Sequence, residues 1–289
     1  MKATRGEKAF YVINYILLSL VAVSCILPLL NIIALSFSSG QAVMSGQVSL
    51  WPVDFSFLSY ENLFKGTAII DAFWNSIEIT LIGTLLSMVV TIMAAYPLSR
   101  RQFYSRRFFT MAMVFTMIFN GGLIPTYLVV SNLGLVNSYG ALWLPGLVST
   151  YNMLIMRSYF ENLPNEVDEA ARIDGCGELG LLFRIVLPLS KPLLATLALF
   201  YGVGYWNAFM SVLIYINDTA KYNMTVLVQN MIKSSTVVQD FSDPSLITNL
   251  TPEGVRSAAV IVMIVPILAV YPFLQKYFVK GVMLGSIKG

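Results

Sequence analysis

Residues 169–188 read EAARIDGCGELGLLFRIVLP. This glycine-interrupted, polar stretch lies between long apolar runs, in a chain with 57% hydrophobic and only 11% charged residues. Soluble domains carry roughly 25% charged residues, so the composition places the chain among integral membrane proteins. A polar insertion in such a chain needs a reason.

Working outward, a bilayer core about 30 Å thick takes roughly 20 apolar residues rising about 1.5 Å each. Six stretches meet or approach that length, at about 13–37, 72–98, 108–131, 139–157, 190–216 and 257–276. They predict an all-α, polytopic fold with six transmembrane helices, preceded by residues 1–12, with 158–189 joining the fourth span to the fifth and 281–289 as a tail. The first run follows Lys2, Arg5 and Lys8, as a secretion signal would. At roughly 25 residues it exceeds a signal core, and no small-x-small site follows, so it reads as a retained helix.

The basic residues set the expected topology, because cytoplasmic flanks collect Lys and Arg. The amino end, the Arg100, Arg101, Arg106 and Arg107 loop, and the Lys276, Lys280 and Lys288 end all fall on one side if there are six spans. Residues 38–71 hold only Lys65, 132–138 hold no basic residue, and 217–256 hold Lys221, Lys233 and Arg256. Both termini are therefore expected in the cytoplasm, and so are residues 158–189. There Glu161, Glu166, Asp168, Glu169, Asp174 and Glu178 outnumber Arg172 and Arg184. The four-arginine loop reads as an orientation anchor near anionic lipid.

Several functions lack their usual parts. The expected spans hold almost no ionisable side chains, whereas ion coupling and proton relays keep them at mid-membrane. The chain has no histidine and only two cysteines, Cys25 in the first span and Cys176 in a loop, so a metal cluster, a CxxC site or a disulfide framework is not expected. A GxxxxGK[ST] phosphate cradle is absent too, and any uphill transport needs energy from another polypeptide. The net charge of +3 gives no reason to expect nucleic acid.

Read physically, the polar segment starts a helix at Asn162, Leu163 and Pro164 and loads its first turns with Glu166, Asp168 and Glu169, which suit the helix dipole. Gly175 then ends it in a left-handed conformation. About a dozen residues make roughly 18 Å, too short to span. Leu163, Val167, Ala170 and Ala171 share one face, and its alanines would let a soluble partner approach closely. An ordinary capped interfacial helix is the competing reading. Pro188 and Pro192 turn the chain back toward the membrane.

At this point a resemblance enters. Glu169, Ala170, Ala171, Gly175, Ile185, Leu187 and Pro188 match, with complete spacing, the EAA signature loop of permease subunits in bacterial ABC importers, and Asp174 and Phe183 look like its sugar-importing branch. AAYPLSR at 94–100, GYWNAF at 204–209 and KYFVKGVMLGSIKG at 276–289 resemble the maltose-type second permease subunit. FNGGLIPTYL at 119–128 is similar to oligosaccharide and lipoprotein-named permeases of Gram-positive bacteria. The resemblance implies a type I permease domain over about 13–280, with the loop as a coupling helix seated on an ATPase subunit. It further implies two ATPase chains that bind ATP and Mg, a second permease, and an extracellular lipid-anchored sugar-binding protein facing residues 217–256. By the same resemblance, Gly281, Gly285, Lys288 and Gly289 lie in a flexible tail that reaches the ATPase dimer.

The implied carbohydrate, an oligosaccharide, needs a pathway. Trp206 and Asn207 fall midway along the fifth span, and an aromatic face beside an amide suits a sugar; packing and a helix-to-helix bond are the alternative. Asn120, Gly121, Gly122 and Pro125 interrupt the third span, as a cavity lining or as a kink. Tyr151 and Asn152 are further candidates in the fourth. A permease for peptides or phosphonates, and an ATPase-independent channel or membrane enzyme, remain as rivals. The expected chain is a non-catalytic, multi-pass subunit of a bacterial cytoplasmic membrane, Gram-positive by resemblance, in contact with membrane lipid.

Overall fold

Thr4 opens the first helix with a reciprocal cap: its Oγ1 accepts from the Glu7 amide, while its own amide donates to Glu7 at 2.7 Å. The computed structural model describes residues 4–173, 175–233 and 251–286. The helices are α1 (Arg5–Ser36), α2 (Gly40–Met44), α3 (Leu58–Gly66), α4 (Ile69–Ser99), α5 (Arg106–Ile118), α6 (Leu123–Asn132), α7 (Gly140–Trp143), α8 (Thr150–Glu161) and α9 (Asn165–Ile173). There follow α10 (Glu178–Leu181), a π-helical turn at Leu182–Val186, α11 (Leu187–Leu189), α12 (Lys191–Trp206), α13 (Met210–Tyr215), α14 (Met224–Lys233) and α15 (Pro252–Ser286). No strand occurs among the described residues, as the all-α expectation requires.

Three helices are long and apolar enough to cross a bilayer: Gly6–Ser36, Ile69–Ser99 and Pro252–Val270. Two bent pairs pass the same test, Arg106–Ile118 with Leu123–Asn132 at 114° and Glu178–Leu189 with Lys191–Trp206 at 82°. Several of the six expected stretches are thus not continuous helices. The third breaks at Phe119–Gly122, where Gly122 takes a φ of +84°. The fourth is divided between α7 and α8 around Pro145 and Gly146, and Ser149 caps the new start by accepting from the Asn152 amide. The fifth is interrupted between α12 and α13. Non-helical backbone at membrane depth persists where it is buried in protein or lines a cavity.

The chain divides into two units, Met1–Ile70 with Leu227–Val265 and Asp71–Val226 with Pro266–Gly289. In the first, α1 is apolar all round and none of its span window is buried, which suits a helix wrapped in lipid. Within this unit the Tyr60 hydroxyl donates to Ser36 Oγ at 3.0 Å, and Gly254 lies so close to Ser59 that a Cβ would sit 2.6 Å from its Oγ.

The second unit carries two cores. One gathers Tyr96, Leu98, Met153, Met156, Phe160, Ala171, Leu181, Leu182, Val186 and Leu197, joining the end of α4 to α8, α9, the return arm and α12. The other gathers Ile79, Leu142, Tyr201, Tyr205, Val212, Tyr215 and Ile216 around the far part of α4. Between them α4 and α12 are bridged by neutral hydroxyl pairs, Ser87 to Tyr205 at 2.9 Å and Thr91 to Tyr201 at 2.7 Å. Such pairs satisfy polar groups that lipid cannot. Gly83 completes the seam, because a Cβ there would stand 2.8 Å from the Tyr205 ring and 2.9 Å from Trp143.

Residues 217–226 of this unit are knitted to its helix ends. Asn137, at a φ of +65°, accepts from the Asn217 and Asp218 amides, while Asn75 donates to the Ala220 and Tyr222 carbonyls. The expected polar loop over 217–256 therefore begins as tethered backbone followed by α14, and residues 234–250 lie outside the described ones. Gly281 and Gly285 belong to α15, so their backbone is helical rather than a loose tail; Lys288 and Gly289 lie outside the described residues.

Candidate functional site

The polar segment forms α9, which begins at Asn165 and not at Asn162. Asn162 instead closes the preceding helix, its Nδ2 donating to the Ser158 carbonyl at 2.7 Å. Pro164, with no N–H, separates the two helices. At the other end the sequence reading of a left-handed terminator is met: Gly175 has a φ of +76°, and the Cys176 amide donates to the Ala171 carbonyl at 2.9 Å, the six-to-one bond of a Schellman cap.

Two residues of the face expected to meet a partner, Leu163 and Ala171, turn the other way. Ala171 is only 6% exposed and Leu163 packs beside it against the chain's own core, because Leu181, Leu182 and Phe160 already fill that side. What α9 and its turn present outward is Glu166, Glu169, Gly175 and Ile173, the last 86% exposed. Ala170 belongs to α9, and Asp174 lies outside the described residues. Ile185 and Leu187 anchor the return arm on the same core, and Pro188 stands exposed within α11. A π-helical turn carries Ile185, a geometry that often marks functional sites.

Charge then ties this segment to the body. Arg100 Nη1 donates to Asp168 Oδ2 at 2.6 Å, and its guanidinium lies 4.5 Å from the centre of the Tyr96 ring. The Tyr96 hydroxyl, 2.9 Å from Glu178 Oε2 and 3.2 Å from the Glu178 carbonyl, donates to that residue. Arg106 pairs with Glu161, which also accepts from Arg157 Nε at 2.7 Å, and Arg157 Nη1 donates to Thr110 at 2.7 Å. Two of the four arginines read as a lipid anchor are thus committed to carboxylates within the chain. A cleft of about 340 Å³ beside them is lined by Arg100, Arg101, Arg106, Glu161, Asp168 and Glu169 among others, three charges of each sign.

The candidate pathway residues separate into different places. Tyr151 and Asn152 share a cavity of about 1050 Å³ with Ser149, Phe200, Tyr201, Gly204, Tyr205, Ser211 and Tyr215, and no ionisable acid or base other than tyrosine lines it. Tyr151 is 58% exposed, while Tyr201 accepts from the Ser149 amide at 2.9 Å. Trp206 is buried, edge-on to Phe73, and lines a different, apolar cavity of about 570 Å³ with Thr80, Thr84 and Gly202. Asn207 caps the end of α12 by donating to the Val203 carbonyl, and Asn120 accepts from the Gly122 amide at the α5–α6 break. Asn120 and Asn207 line neither cavity. Tyr201 and Tyr205 are wall residues that sequence reasoning missed; their spacing of four, matched by Ser87 and Thr91 on α4, was the available signal.

Residues 84–284 match the family described as "Binding-protein-dependent transport system inner membrane component". The chain is 41% identical over 284 residues, 98% of its own length and 99% of the relative's, to the polygalacturonan/rhamnogalacturonan transport system permease protein YtcP of Bacillus subtilis (strain 168). It is 40% identical to Protein LplC of the same organism, covering 100% of this chain and 98% of that one. Among solved structures it superposes on a chain of a bacterial ABC transporter involved in the import of the acidic polysaccharide alginate, with a TM-score of 0.89 and 31% identity over 96% of this chain and 99% of that one.

Proposed function

This chain belongs to the family of binding-protein-dependent transport system inner membrane components, and we propose that it is the permease subunit of an ABC importer that takes up an oligosaccharide. It is an integral membrane protein and a transport component. The observation that carries the coupling role is the capped helix α9, outward on Glu169 and Ile173 and fastened inward through Ala171. Helices commonly dock in a groove on a partner, and a nine-residue helix held by its own core can transmit what it receives.

In this reading α9 seats in a cleft of an ATPase subunit, with Glu166, Glu169 and Ile173 at the contact, and both termini are cytoplasmic. ATP and Mg are bound by two ATPase chains and not by this one. A second permease supplies the other half of the pathway, and a lipid-anchored binding protein delivers the sugar from outside a Gram-positive membrane. The cavity holding Tyr151, Asn152 and Phe200 offers this half's contribution to the pathway: rings for stacking, and amide and hydroxyl groups for sugar hydroxyls. Closure of the paired ATPases moves the coupling helices together and opens the pathway outward.

The test is copurification of the tagged chain expressed with its genomic neighbours, wild type beside Gly175→Glu. The expected outcome is an ATPase retained by the wild type, with hydrolysis that rises on adding sugar and binding protein, and a Gly175→Glu complex that hydrolyses without importing. Wild-type protein that brings down no ATPase overturns the reading and favours a channel or enzyme. Stimulation by a peptide or phosphonate in place of sugar would replace the substrate class alone.

A further inference from the structure

The contacts at the end of α4 presuppose the coupling role and go beyond it. We propose that Tyr96 and Arg100 are positioning residues that clamp the coupling segment at two points, so that a displacement of α9 reaches α4 instead of being absorbed at the Gly175 turn. Arg100 holds the segment before the turn, through Asp168 on α9; Tyr96 holds it after the turn, through Glu178 at the start of α10. Tyr96 lies in the last turn of α4 and Arg100 is the first residue after its end, four positions on, and the guanidinium rests against the ring, so the grips move as one body.

The need for a clamp follows from the turn itself. Gly175 at positive φ, followed by Gly177, gives the chain a soft joint between α9 and α10. A partner pressing on α9 would fold the joint and leave the spans where they were. With both sides of the joint fixed to one helix, α9, α10 and the end of α4 translate together. Each grip suits the task. The Arg100–Asp168 pair is only 21% and 26% exposed, beyond the reach of full solvent screening. Arg100 Nη1 makes the bond to Asp168, while the guanidinium is braced on its other side by the Tyr96 ring. Tyr96 is set in the core between Phe160 and its neighbours, so packing fixes where its hydroxyl can reach.

The experiment uses the complete transporter in proteoliposomes and reads sugar imported per ATP hydrolysed. Arg100→Ala should keep the ATPase bound and hydrolysing while the ratio falls about tenfold, within the range of a coupling free energy. Arg100→Lys, which keeps the charge, should recover part of the ratio, and Tyr96→Phe, which deletes a single oxygen, should lower it by a smaller factor. Exchanging the charges, Arg100→Asp with Asp168→Arg, should import more per ATP than either change alone. A bound ATPase with an unaltered ratio in Arg100→Ala overturns the clamp and leaves the coupling role standing. Where Arg100→Ala yields no complex, Tyr96→Phe decides, and a wild-type ratio there overturns the clamp. A wild-type chain without an ATPase removes the coupling role and the clamp with it.

Discussion

Helix α4 is held in two different chemistries at its two levels. At its Ser99 end, Tyr96 and Arg100 reach the α9–α10 segment through a carboxylate each; five and nine residues before Tyr96, Thr91 and Ser87 reach α12 through the neutral hydroxyls of Tyr201 and Tyr205. The charged Arg100–Asp168 grip keeps about a quarter of its surface exposed, whereas Ser87, Thr91, Tyr201 and Tyr205 are buried. A charge in the bilayer interior is costly, whereas a hydroxyl pair satisfies itself there. Where water reaches the helix, an ion pair holds firmly and can still be remade. The same helix thus has a neutral, buried seam toward α12 and a charged one at its Ser99 end.

The comparison breaks most visibly at Gly83. Gly83→Leu has to displace the pinned Tyr205 ring and Trp143, an overpacking cost of about 1–3 kcal/mol or more, and should leave little monodisperse protein in detergent; Gly204→Ala, where a Cβ meets nothing within 4 Å, should be recovered like wild type. Next in size is the turn. Gly175→Val forces a β-branched residue to a φ of +76°, at about 1–2 kcal/mol or more of strain, and should abolish uptake in proteoliposomes; Gly175→Asn, which tolerates that region, should retain most of it. If Val and Asn behave alike, conformation at the turn is not what the segment needs.

A smaller effect separates affinity from coupling. Tyr151→Ala should raise the KM for sugar uptake about three- to tenfold, as expected for the loss of one stacking ring, with sugar imported per ATP unchanged. Trp206→Ala, set in the other cavity, should lower the melting temperature and leave that KM alone. The reverse pattern would move the pathway to the Trp206 side. Least of all, Ser87→Ala should cost about 0.6 kcal/mol, the average of hydrogen bonds between membrane helices, read as a small drop in melting temperature without change in KM or coupling.

Much of this is legible in the sequence. The polar stretch at 163–176 is legible as a short helix, and Gly175 as its left-handed terminator because glycine takes positive φ without a Cβ penalty. Gly121 and Gly122 likewise announced the broken third span. The start of α9 was misread, since Asn162 suits either end of a helix and only its bond back to Ser158 settles which. Pro145 and Gly146 carried the signal for the fourth break, hidden by the apolar residues around them.

Long-range pairing was the larger omission. Arg100 meets Asp168 across 68 positions and Arg106 meets Glu161 across 55, and composition counts such residues without pairing them. The acidic excess in 158–189, puzzling by itself, is in part the complement of those arginines. Trp206 and Asn207 are adjacent in sequence, yet one is buried in a wall and the other caps a helix end, because successive helical residues point about 100° apart.

The return arm has one property of its own. The turn at Leu182–Val186 is wound wider than the helices on either side, and so holds one residue more than an α-helical turn of the same rise. Shifting that surplus by one step along the arm turns the side chains it passes by about 100° while the ends stay at the same separation. The arm is a crankshaft: it can re-aim Phe183 and Ile185 without growing longer.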